Sequence, residues 1–139
     1  IDIFSGSGAL GIEALSRGAG HVFFVEKAPL SLRILQQNLN NIHLPSKKFT
    51  ILHKEALAFV KTTSEKADLC FMDPPYVYPP LQKLVDHFFE RHILHEGGIL
   101  MVEHEILNPL EAESPRYHIF SQKQMSRSII SFLEEKVNK

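Results

Sequence analysis

A run of four apolar residues, Leu69-Cys70-Phe71-Met72, stops abruptly at Asp73-Pro74-Pro75-Tyr76. That junction constrains the fold more than any other stretch. An apolar run with no polar alternation reads as a strand buried on both faces, as in a parallel sheet. Two prolines end its ladder and set a stiff turn at its carboxyl end. Open α/β sheets hold their ligands at that end. The junction therefore presents to a crevice the Asp73 carboxylate, the Pro74 carbonyl and the Tyr76 ring.

A second motif stands upstream. Ile1 to Phe4 reads as the end of a strand, and Ser5-Gly6-Ser7-Gly8-Ala9-Leu10-Gly11 fits G-x-G-x-x-G. Gly6, Gly8 and Gly11 allow a tight turn, close approach to a ligand, and packing of helix on strand. Dehydrogenases share that pattern, so the acids around it matter. Glu26 lies twenty residues past Gly6, at the tip of a second strand, where a carboxylate accepts ribose hydroxyls. Asp2 adds negative charge beside the loop, unwelcome to a pyrophosphate but favourable to a cationic sulfonium. Glu55, at the tip of a third strand, is placed to accept an adenine amine.

The remaining pattern alternates strands and helices. Leu10, Ile12 and Leu15 begin a helix that stops near Gly18. His21 to Val25 is a strand, Pro29 to about Asn41 a helix, Phe49 to His53 a strand and Glu55 to Val60 a short helix. Ala67 to Met72 is the fourth strand. A helix over Pro80 to Leu94 follows, with Leu81, Leu84, Val85 and Phe88 on one face. Gly97-Gly98 is expected to break it before a buried strand over Ile99 to Val102. Tyr117 to Gln122 and Ser128 to Leu133 are two final strands, the last antiparallel. Right-handed crossovers then give one doubly wound, mostly parallel Rossmann-like α/β sheet spanning residues 1–139. Ile1 enters mid-strand without a preceding turn, so the chain is expected to lack its natural N-terminal segment.

Composition narrows the function classes. With 139 residues, 44% hydrophobic and 22% charged, this is an ordinary single globular domain. A net charge of −1 gives no global nucleic-acid signature, leaving only a local patch such as Lys47, Lys48, Arg116, Lys123 and Arg127. The single cysteine, Cys70, excludes an internal disulfide, fits a cytosolic setting and reads as core filler. No stretch approaches the ~18 apolar residues of a membrane span. His92 and His95 lack the order of a metal-binding helix motif, so no metal is expected. Neither a nucleophile elbow nor a Walker loop is present.

Asp2-x-Phe4-x-Gly6-x-Gly8-x-x-Gly11, Glu26 and Asp73-Pro74-Pro75-Tyr76 together resemble class I S-adenosylmethionine-dependent methyltransferases that modify exocyclic amines. More narrowly, the block from Asp2 to Ala19 is similar to the RsmD family, bacterial guanine-N2 methyltransferases of small-subunit ribosomal RNA. The likeness runs from Ile1 to about Glu105. Glu55 stands where that family usually has aspartate, and the family's N-terminal arm is not in this chain.

The resemblance implies S-adenosylmethionine held by Asp2, Phe4, Gly6, Gly8, Gly11, Glu26, Glu55 and Asp73. It implies catalysis by Asp73, Pro74 and Tyr76, with Asp73 and the Pro74 carbonyl holding the amine hydrogens and Tyr76 stacking on the base. It further implies a cytoplasmic monomer acting on ribosomal RNA, within an assembling small subunit. Adenine-N6 transfer uses the same tetrapeptide and stays open, as does a non-catalytic cofactor-binding module. A nucleotide-binding oxidoreductase is disfavoured by Asp2 and by the proline turn.

Overall fold

The computed structural model describes residues 1–75 and 78–137. These form β1 (Asp2–Ile3), α1 (Ala9–Ser16), β2 (Val22–Glu26), α2 (Pro29–Asn41), β3 (Phe49–His53), α3 (Ala56–Thr62), β4 (Ala67–Met72), α4 (Leu81–Glu90), β5 (Leu94–Glu105), β6 (Tyr117–Met125) and β7 (Ser128–Glu135). The strands make one sheet in the order β3-β2-β1-β4-β5-β7-β6. All pairs from β3 to β5 are parallel, whereas β7 runs antiparallel to both β5 and β6. This is the expected doubly wound α/β sheet. Its order reverses between β1 and β4, and the crevice at such a switch point is where ligands bind.

Two apolar layers clothe the sheet. On one face, Leu15 of α1 and Leu35 and Leu39 of α2 pack on Val22 and Phe24. On the other, Phe59 and Val60 of α3 and the Leu81, Leu84, Val85 and Phe88 stripe of α4 cover Ile3, Cys70, Met72, Leu100 and Val102. Cys70 is fully buried there, as core filler should be.

Three expectations change. β4 is not buried on both faces. Cys70 and Met72 enter the α3–α4 core, but Leu69 is 40% exposed, because the helices on its face pack over β2 and β3. The fourth helix stops at Glu90, ended by His92 in a left-handed conformation (φ 51°). Lastly, Gly97-Gly98 does not precede β5 but lies within it. Leu94 pairs with Ala67, Ile99 pairs with Leu69, and the register shifts between them. A bulge is the ordinary use of glycine inside a strand. A side chain on Gly98 would meet the His95 and Ala67 carbonyls at 2.9 and 3.2 Å.

Candidate active site

The loop after β1 is held from below and from the side. α1 begins after Gly8, which is left-handed (φ 87°) and supplies no side-chain cap. Asp2 fills that role from the strand: its Oδ2 accepts the Gly11 N–H at 3.0 Å, one of the orphan donors of the first helical turn. Asp2 is 1% exposed, so it lies beneath the loop and acts on its backbone. Burial, above all, pushes its carboxyl up to about 6; the Gly11 N–H opposes this, while Asp73 and Glu26 add to it. Gly11 is where helix meets sheet, since an added Cβ would sit 2.3 Å from Phe24 Cε1.

Glu26 ends β2 facing the same loop. Its Oε1 accepts the Gly6 N–H at 2.9 Å, and its Oε2 accepts the Lys27 and Ala28 N–H groups at 2.8 and 2.9 Å. Of about four acceptor positions on a carboxylate, three serve the backbone and one remains on Oε1. Phe4 adopts a left-handed conformation (φ 62°), a strained choice for a bulky residue. It meets the Tyr78 ring edge-on, with centroids 5.0 Å apart. Ser5 Oγ is buried without a hydrogen-bond partner among the described residues.

Two cavities meet above the switch point. One, of about 340 Å³, is lined by Phe4, Glu26, Lys54, Asp73, Pro75 and Tyr78. The second, of about 240 Å³, is lined by Asp73, Pro74, Pro75, Tyr78, Glu103 and Glu105, among others. Asp73, Pro75 and Tyr78 belong to both. Asp73 opens to solvent, yet the enclosing walls, and after them the neighbouring Glu103, raise its carboxyl above the usual range.

Glu55 serves first as the N-cap of α3. Its Oε2 accepts the Ala58 N–H at 3.0 Å, and its Oε1 accepts the Tyr78 hydroxyl at 3.2 Å. Burial raises its carboxyl, but the Ala58 and Leu57 N–H groups, Tyr78 and Lys27 together outweigh that and lower it. Burial, and after it the same contact with Glu55, pushes the Tyr78 phenol up to about 12.

The structure therefore brings Phe4, Glu26, Asp73 and Pro74 around the two cavities, over the turn made by Gly6 and Gly8. It sets Asp2 and Gly11 underneath and Glu55 at the side. Tyr76 lies outside the described residues. Tyr78 and Glu103 were missed by motif reading. Glu103 had a signal, because it ends the apolar run Ile99 to Val102 as Asp73 ends Leu69 to Met72.

The reversed strand order, the glycine loop and the acid closing β2 define a domain of the class I methyltransferase fold. Residues 1–134 match the model of the family described as conserved hypothetical protein 95, and the chain belongs to that family, the RsmD family. It is 31% identical over 112 residues to ribosomal RNA small subunit methyltransferase D of Haemophilus influenzae, covering 79% of this chain and 58% of that one. To the Escherichia coli K12 protein of the same name it is 27% identical over 124 residues, covering 88% and 61%. A Streptococcus pyogenes structure described as a conserved hypothetical protein superposes with a TM-score of 0.85 at 28% identity, covering 95% of this chain and 82% of that one. The chain thus spans about three-fifths of the length of the two named methyltransferases.

Proposed function

We propose that this chain is the catalytic domain of an S-adenosylmethionine-dependent methyltransferase acting on guanine N2 in small-subunit ribosomal RNA. One observation carries the reading: Asp73, Pro75 and Tyr78 are walls of both cavities. A cofactor in the first and a base in the second would meet at Asp73. The first cavity, at about 340 Å³, suits a small cofactor. Glu26, on the wall of that cavity, keeps an acceptor position on Oε1 for a ribose hydroxyl. Phe4 and Tyr78 supply apolar walls, and Glu55 Oε1 keeps a position for an adenine amine.

When bound, S-adenosylmethionine would supply an electrophilic methyl group on a sulfonium whose sulfur departs readily as a neutral thioether. The protein's task is then positioning and electrostatics, which calls for no metal. The Asp73 carboxylate and the Pro74 carbonyl accept hydrogen bonds from the two amine hydrogens, turning the nitrogen lone pair toward the methyl carbon. The proton that the methylated nitrogen sheds would pass to Asp73 or to water. Bonds to the carboxylate contribute ~1.5–3 kcal/mol each. Tyr76, by family resemblance, stacks on the base, worth ~1–3 kcal/mol against the cost of unstacking. The names of the relatives support ribosomal RNA as substrate, and the family resemblance supports guanine, a cytoplasmic setting and a monomer acting on an assembling subunit. Among the described residues no helix is long and apolar enough to cross a membrane.

The test uses labelled cofactor with undermethylated small subunits, naked ribosomal RNA and DNA, followed by digestion to nucleosides. Label is expected in N2-methylguanosine, chiefly from the subunits. Label in N6-methyladenine, or in DNA, would replace guanine with the adenine alternative.

A further inference from the structure

A second carboxylate stands beside Asp73, and the methyl-transfer step has no use for it. β4 and β5 are parallel neighbours with Met72 paired to Val102. The next residues, Asp73 and Glu103, therefore leave the sheet side by side at its carboxyl edge. Both line the 240 Å³ cavity, and among the described residues neither is paired with a lysine or arginine. Two adjacent carboxylates disfavour each other's charge unless donors come between them.

The rest of that cavity is also rich in acceptors. Glu105 lines it, and its Oε1 is buried without a partner among the described residues. His104 lines it too, but its ring is committed. Nδ1 faces the Glu105 and Asn108 carbonyls, both at 3.2 Å, so it carries the proton; Nε2 accepts from Ser131 Oγ at 2.8 Å. Asn108 and Ser128 complete the polar lining. A ligand suited to this wall presents two neighbouring N–H donors.

The three nucleobases with exocyclic amines differ in that respect. Guanine carries N1–H beside its N2 amine. Adenine and cytosine carry a ring-nitrogen lone pair beside theirs. We infer that Glu103 is the specificity-determining residue, its carboxylate accepting guanine N1–H while Asp73 and the Pro74 carbonyl hold the N2 hydrogens. Against adenine or cytosine the same carboxylate faces a lone pair, a repulsive and desolvated contact that excludes them. This inference rests on the site being an amine methyltransferase, as proposed above.

The test replaces the mapped target guanosine, in reconstituted small subunits, with 2-aminopurine riboside. That base keeps the amine but has an acceptor at N1. The wild-type protein should methylate guanine at least ~100-fold faster than 2-aminopurine. Glu103→Gln offers an amide donor to N1 and should shrink that ratio by about 10- to 150-fold, with S-adenosylmethionine affinity by calorimetry within a few-fold of wild type. If Glu103→Gln slows both substrates equally, or leaves the ratio unchanged, Glu103 does not read the base and the inference falls while the methyltransferase reading stands. If the wild type methylates adenine, or no base at all, that reading falls and takes the inference with it.

Discussion

The Asp2 carboxylate accepts the Gly11 N–H at 3.0 Å, tying the first strand to the first turn of α1 across nine residues. The bond supplies the helix cap that Gly8 lacks, and it places a carboxyl group in the interior. Burial then moves the group from its ordinary 3.8 to about 6, so the folded protein binds this proton more tightly than the unfolded chain does. The stability Asp2 contributes is complete below about pH 4 and is lost as pH rises through 6. Relative to Asp2→Asn, the wild type should lose about 2 kcal/mol of stability between pH 4 and pH 7. Denaturant titrations of both proteins at each pH measure this difference, and parallel profiles would contradict it.

Gly6 and Gly11 are required for different reasons, which substitution separates. An alanine at Gly11 drives Cβ into the fully buried Phe24 ring, an overpacking expected to cost ~1–3 kcal/mol. At Gly6 nothing lies within 4 Å of an added Cβ, but φ is +55°, a left-handed penalty of ~1–2 kcal/mol. Adding Phe24→Leu should recover part of the loss in Gly11→Ala and none in Gly6→Ala. Additive stabilities in both double variants, read by urea unfolding, would argue against packing as the role of Gly11.

Glu55 and Tyr78 should matter to stability in unequal measure. Glu55→Ala removes the cap of α3, at a cost of ~0.5–2 kcal/mol. Tyr78→Phe keeps the edge contact with Phe4 and removes one hydrogen bond to Glu55, costing about 1 kcal/mol. Thermal melts of the two single variants and the double test the coupling. Since the bond needs both partners, the double variant should be less destabilised than the sum.

The Asp73–Glu103 neighbourhood predicts a pH effect on rate. A carboxyl raised above its usual range takes up its proton at a higher pH than an ordinary aspartate, and then loses the charge and part of the acceptor capacity with which it holds the amine. Methyl transfer should therefore fall as pH drops through that raised value. Enclosure is the larger cause and Glu103 the next, so Glu103→Gln should move the acid limb of the single-turnover profile to lower pH. An acid limb in the same place would mean that Glu103 does not act on Asp73.

Much of this site was legible before any coordinates, because backbone-driven features are local. The three glycines, the acid twenty residues on and the proline-closed strand each announce themselves in a few consecutive letters. What escaped depends on register. Glu103 stands beside Asp73 only because Met72 pairs with Val102, a fact of two strands thirty residues apart. Tyr78 matters because it reaches Phe4 and Glu55 from a separate loop. The end of the fourth helix was misplaced for a related reason. Ile93 and Leu94 are as apolar as a helix face, yet Leu94 opens β5 and Ile93, buried with it, leads into that strand. Exposure of Leu69 was equally hidden, since an apolar run does not say how far the covering helices extend.

The account turns on Asp73 acting in the chemical step beyond its place on the wall of the cofactor cavity, and Asp73→Ala tests that claim most directly. S-adenosylmethionine affinity measured by calorimetry should stay within a few-fold of wild type, while single-turnover methyl transfer to small subunits drops by at least ~100-fold. Methyl transfer at the wild-type rate would make the Asp73 carboxylate a structural group and contradict the mechanism.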